Sequence, residues 1–129
     1  MKQLLTAAAI SVLTAVPAAA EMKISFTWGN IPLCTTGNPN RVANPAFVLK
    51  GVPEGTTKVV FKLTDLDVPN YKHGGGTVKM KTSGKVPSGV FKYKSPCPPG
   101  ETHTYEWTAT AKKGGKTLAV AKARRKYPE

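Results

Sequence analysis

Ser95-Pro96-Cys97-Pro98-Pro99-Gly100-Glu101-Thr102-His103-Thr104-Tyr105 is a proline-stiffened turn that runs straight into a strand opening on His103 and Tyr105. Proline fixes φ and removes a backbone donor, so the first half of this stretch suits a turn. From His103 onward the side chains alternate. His103, Tyr105 and Trp107 fall on one face, and Thr104, Glu106 and Thr108 on the other. The pattern predicts a strand over residues 103–111, a turn at Gly114-Gly115 and a last strand over 117–123.

Upstream lies a stretch of complementary chemistry. Residues 58–64 form the clearest core strand, with Val59, Phe61 and Leu63 on one face. If the strand continues, Asp65 and Asp67 stay on that apolar face. Unpaired charge is not tolerated deep in a core. Both acids are therefore expected at the strand's end, where the face opens to a pocket or rim, before Val68-Pro69 breaks the pairing. His73-Gly74-Gly75-Gly76 follows. Met22, Ile24, Phe26 and Trp28 alternate with polar residues and predict a first half-buried strand. Residues 29–44 read as loop, 45–49 as a short strand, 51–55 as a turn, and 77–80 and 90–93 as further short strands. No stretch holds a 3.6-residue period. With 11 prolines and 12 glycines spread through it, the chain reads as a single mainly β domain with little or no helix.

The order of these motifs resembles the phosphatidylethanolamine-binding protein family, which includes the bacterial Raf-kinase-inhibitor-like proteins. That family shows an Asp-Pro-Asp-x-Pro segment, then a histidine, then Gly-Pro-(Cys)-Pro-Pro and His-x-Tyr. Here the counterparts are Asp65-Leu66-Asp67-Val68-Pro69, His73, Ser95-Pro96-Cys97-Pro98-Pro99 and His103-Thr104-Tyr105. The resemblance covers about half of the chain, from Asn44 to Ala111. It implies a small β domain of two packed sheets, and it implies a ligand pocket formed by Asp65, Asp67, His73, His103 and Tyr105. Leu66 replaces a proline, Gly74 stands where many members carry a tryptophan, and Ser95 replaces a glycine. These changes predict a wider, wetter pocket. Members generally carry helices near the C-terminus, so the chain resembles a trimmed version.

The residue types suit the task. Imidazole and phenol donate hydrogen bonds to phosphate or carboxylate. Carboxylates orient an imidazole and raise its pKa, and they also receive a cationic headgroup. A zwitterionic ligand fits this set better than a simple anion does. Blander readings stand beside that one. Aspartates beside a turn often bond only nearby backbone N–H groups, and His103 could be a satisfied, semi-buried histidine. Cysteine catalysis by Cys97, His103 and Asp65 is disfavoured by the flanking prolines. A metal hydrolase has suitable ligand types in His73, His103 and the aspartates but no recognisable metal spacing. The sequence calls for no metal, no cofactor and no enzyme activity.

The first residues read as an export signal. Lys2 precedes an apolar stretch over residues 4–16, and Ala18-Ala19-Ala20 offers a cleavage site, so residues 1–20 are assigned as signal peptide and 21–129 as the domain. An uncleaved anchor is the alternative, although a spanning helix needs about 20 apolar residues. Export predicts a periplasmic or secreted protein. In that compartment the two cysteines, Cys34 and Cys97, are expected to form a disulfide closing a loop of roughly 60 residues, worth about 4 kcal/mol. Free thiols or metal ligation are the competing readings.

The net charge is +12, so anionic partners are favoured, an anionic membrane surface among them. A merely solvated surface would look the same. The densest run, Lys122 to Lys126, is a contact patch or a frayed end. Nucleic acid is disfavoured because the aromatic residues read as core and not as an exposed stacking row. The reading is a binding protein for a small phosphorylated or other anionic ligand. The alternative is a basic interaction or inhibitor protein of the cell envelope, acting through its charged surface with a vestigial pocket.

Overall fold

A computed structural model describes residues 3–11 and 21–129. The expected cleavage site at Ala18-Ala19-Ala20 lies outside the described residues. Residues 3–11 carry neither helix nor strand, and among the described residues no helix is long and apolar enough to cross a membrane.

The domain is built from strands throughout: β1 (Lys23–Phe26), β2 (Arg41–Ala43), β3 (Phe47–Lys50), β4 (Lys58–Asp65), β5 (Gly75–Lys79), β6 (Gly84–Val86), β7 (Lys92–Lys94), β8 (His103–Lys113) and β9 (Lys116–Tyr127). A four-stranded antiparallel sheet in the order β5-β4-β8-β9 faces a three-stranded sheet, β1-β3-β6. A small ribbon, β2-β7, lies beside them. The mainly β fold of two packed sheets is as the sequence implied, with the ribbon added.

Alternation decides which face packs. Val59, Phe61 and Leu63 of β4 are buried, as are Tyr105, Trp107, Ala109 and Ala111 of β8. The opposing sheet contributes Ile24, Phe26, Phe47 and Leu49. Phe47 stacks on Phe61 with ring centres 4.6 Å apart and meets Trp107 edge-on at 5.1 Å. Each such aromatic pair contributes about 0.5–1.5 kcal/mol beyond the area it buries.

Several boundaries differ from the sequence reading. β2 lies within the stretch read as loop, and β6 was not foreseen. The last strand runs on to Tyr127, so Lys122 to Lys126 is paired with β8 and not frayed. Glu106 explains part of that order. It is buried on the outer face and accepts a 2.8 Å hydrogen bond from Arg124 Nε. The end of β9 is tied down further, because the Trp28 indole N–H donates to the Lys126 carbonyl at 2.9 Å.

Cys34 and Cys97 form the expected disulfide. Around it, backbone hydrogen bonds from Gly37 N–H to the Cys97 carbonyl (3.1 Å) and from Gly100 N–H to the Thr35 carbonyl (2.9 Å) lay the loop after Cys34 alongside the proline-rich turn. The Cys34 N–H also donates to the Tyr127 hydroxyl at 2.9 Å. One covalent bond thus gathers β9, the early loop and the Pro-Cys-Pro-Pro turn at one end of the large sheet.

Candidate functional site

Asp65 is the last residue of β4 and keeps the parity of Leu63, so its carboxylate is buried at the strand's end. Its Oδ1 accepts the backbone N–H groups of Asp67 (2.9 Å) and Val68 (3.3 Å). That is the Asx turn which ends the strand. Its Oδ2 lies 2.6 Å from His103 Nδ1. The turn chemistry and the pocket chemistry are therefore carried by one side chain.

His103 opens β8 and is buried. Its Nε2 lies 2.7 Å from Glu101 Oε1. Both ring nitrogens thus face carboxylate oxygens, and both can donate only in the imidazolium form. Burial opposes that charge, but the hydrogen bonds to Glu101 and Asp65 outweigh it and hold the pKa above the ordinary histidine value.

His73 is the opposite case. Its Nδ1 lies 2.8 Å from the Lys94 carbonyl, which can only accept, so Nδ1 carries the proton. Burial lowers its pKa, and the backbone hydrogen bond only partly offsets this. The ring is neutral at pH 7, with Nε2 left as an acceptor. Tyr71 packs against it with ring centres 4.6 Å apart.

Tyr105 sits between the two histidines, its ring 5.5 Å from that of His73 and 6.2 Å from that of His103. It is fully buried, and among the described residues its hydroxyl makes no well-formed hydrogen bond, although the Asp65 carboxylate and the Cys97 backbone lie close enough to act on it. Burial first, and then the nearby Asp65 carboxylate, push its ionisation well above the usual phenol range. It is a neutral donor at physiological pH.

Asp65, His73, His103 and Tyr105 line one cavity of about 220 Å³. Asp67 does not line it. The chain leaves the strand after Asp65, so Asp67 turns outward, and its Oδ2 accepts the Thr104 N–H at 2.8 Å. The walls include residues the sequence reading missed: Gly37, Pro39, Val68, Tyr71, Pro98 and Pro99. Tyr71 lies two residues before His73, and its ring supplies an apolar wall where a wide, wet opening was expected. Gly37 and Pro39 arrive through the disulfide, and no local pattern announces them. Glu101 lies in the decisive stretch, but its bond to His103 depends on ring orientation.

Asp65, Asp67 and His103 place one potential ligand atom each within 4.8 Å of one another. Such side chains could hold a cation. Here Asp65 and His103 bond each other, and both aspartates accept backbone N–H groups. The arrangement is a proton-sharing network at a cavity wall.

No family model matches the sequence, and no curated protein matches it either. The structure is similar to the crystal structure of a phosphatidylethanolamine-binding protein homologue from Chlamydia trachomatis. The TM-score is 0.57 at 17% identity, over 84% of this chain and 98% of that one. Nearly all of the Chlamydia chain thus has a counterpart here. The motif order in the sequence and the likeness in three dimensions agree on one point: the chain has the phosphatidylethanolamine-binding protein fold.

Proposed function

We propose that this protein is an exported binding module, not an enzyme, that holds a small zwitterionic, phosphate-bearing ligand of the lipid-headgroup class. The observation that carries the reading is the Tyr105 hydroxyl, buried without a well-formed hydrogen bond among the cavity-lining side chains of Asp65, His73 and His103. A buried, unsatisfied hydroxyl costs about 1–3 kcal/mol, and a ligand oxygen would relieve that cost. The His103 imidazolium offsets part of the negative charge of Asp65 and Glu101 at the same wall, and its Nε2–H becomes a donor to a ligand oxygen when Glu101 yields its place. Asp67 and Glu101 are exposed nearby and offer oxygens to an ammonium group. A cavity of about 220 Å³ has room for a headgroup and not for acyl chains.

The Chlamydia protein's description as a phosphatidylethanolamine-binding homologue points the same way. The disulfide supports export, because such bonds persist in oxidising compartments. It also occupies Cys97, the thiol nucleophile weighed from the sequence.

Titration calorimetry with phosphoethanolamine tests the reading. Wild-type protein should bind it, and His73→Ala should weaken binding roughly tenfold, because the neutral ring's free Nε2 is an acceptor for the ligand's ammonium group. No heat with wild-type protein, or unchanged affinity in both His73→Ala and Tyr105→Phe, would sink the proposal.

A further inference from the structure

The strand register gathers much of the positive charge on the outer face of the four-stranded sheet, away from the cavity. Lys79, Lys58 and Lys112 stand in one cross-strand row. The next row is Thr77, Val60, Thr110 and Val120. Then come Lys62, Thr108 and Lys122, followed by Thr64, Glu106 and Arg124, and last Thr104 beside Lys126. Among the described residues, this face holds seven cations and one carboxylate, Glu106. Glu106 is already engaged by Arg124 at 2.8 Å and Lys122 at 3.8 Å.

Strands lie about 4.8 Å apart, and successive residues on one face are about 6.8 Å apart. The lysine rows therefore flank the Thr-Val-Thr-Val strip at roughly 7 Å on either side. Lys62, Lys79, Lys122, Arg124 and Lys126 are exposed, and Val120 is 47% exposed, so the face is open to solvent.

We propose that this sheet face docks the protein on an anionic lipid bilayer. The lysines would meet headgroup phosphates while the valine and threonine strip lies against the interface. Two features favour a lipid surface over a nucleic acid. The face carries no aromatic side chain among the described residues, so it offers no platform for base stacking. Six of its seven cations are lysine, a point charge suited to a diffuse anionic surface, whereas base-edge recognition favours the planar fork of arginine. A basic residue close to an anionic membrane strengthens attachment about fivefold.

Vesicle co-sedimentation at about 0.1 M salt tests this with two variants of equal net charge. Lys58→Gln/Lys62→Gln/Lys122→Gln removes charge from the face. Lys23→Gln/Lys50→Gln/Lys92→Gln removes it elsewhere. Circular dichroism confirms that both are folded. Wild-type protein should bind vesicles of phosphatidylcholine and phosphatidylglycerol in about equal parts and ignore pure phosphatidylcholine. The face variant should lose roughly a hundredfold in partition and the control variant less than about fivefold. Equal losses in the two variants overturn the proposal in favour of diffuse net charge. Failure of wild-type protein to bind, or tighter binding to duplex DNA than to the anionic vesicles, also overturns it.

Discussion

The Glu101 carboxylate sits 2.7 Å from His103 Nε2, on a ring whose other nitrogen is held 2.6 Å from Asp65. Glu101 is 61% exposed at its side chain, whereas His103 and Asp65 are buried. An exposed carboxylate thus stands where a ligand oxygen would meet the imidazolium. An anion entering the cavity competes with a group the protein already carries.

Removing that competitor should have a measurable effect. Glu101→Gln should lower the His103 pKa, read by the pH dependence of its NMR ring signals. It should also raise affinity for inorganic phosphate roughly tenfold, the scale of one charge-assisted hydrogen bond. A fall in affinity would mean that Glu101 contacts the ligand itself.

The two histidines should impose opposite pH dependences on stability. His103 has its pKa raised above 6.5, so its stabilising contribution is complete below about 6.5 and is lost as pH rises through the folded value. His73 has its pKa lowered, so folding weakens as pH falls from 6.5 toward the folded value. Urea unfolding across this range should show a maximum between the two limbs. His103→Gln should flatten the alkaline limb and His73→Gln the acid one. An unchanged profile in either variant contradicts the assignment of that histidine.

Tyr105→Phe should separate fold from function. The buried hydroxyl makes no well-formed hydrogen bond, so its loss should leave stability unchanged or raise it by up to about 1 kcal/mol. Affinity for phosphoethanolamine should nevertheless fall roughly fivefold or more. Denaturant unfolding and calorimetry on the same preparation read both effects, and destabilisation by more than about 1 kcal/mol would reveal a hidden partner.

Loss of the disulfide should cost about 4 kcal/mol, the loop-closure value for a separation of 63 residues. Cys34→Ser/Cys97→Ser should also weaken phosphoethanolamine binding under conditions where the protein stays folded, because Gly37 and Pro39 then lose their tether to the opposite wall. Thermal melts and calorimetry on the double variant check this.

Much of the fold was legible because half-buried strands write burial into alternation. The run from Met22 to Trp28 and the run from Val59 to Leu63 each bury every second residue. β2 and β6 have only 3 residues each, too few for a period to show, and β2 lies in a stretch whose Gly, Asn and Pro content reads as loop. Parity correctly carried Asp65 to a buried strand end. It misplaced Asp67, because the Asp65 turn redirects the chain before the alternation can continue. The histidines and Tyr105 were legible through motif order. Their protonation was not, since it depends on the Lys94 carbonyl and Glu101 carboxylate that the folded chain brings to each ring.

The cavity floor and the cavity walls belong to different parts of the molecule. Tyr105 is fully buried in β8 and packs edge-on to Trp28 at 5.7 Å, so the floor is also core. Gly37, Pro39, Val68, Tyr71, Pro98 and Pro99 sit on connecting segments outside the strands. Substitutions in the floor disturb packing, whereas substitutions at the exposed wall residues Val68, Tyr71 and Pro99 reshape the opening at little structural cost. Diversification of ligand choice, by descent or by engineering, therefore has its freedom in the loops, with β8 held nearly constant beneath them.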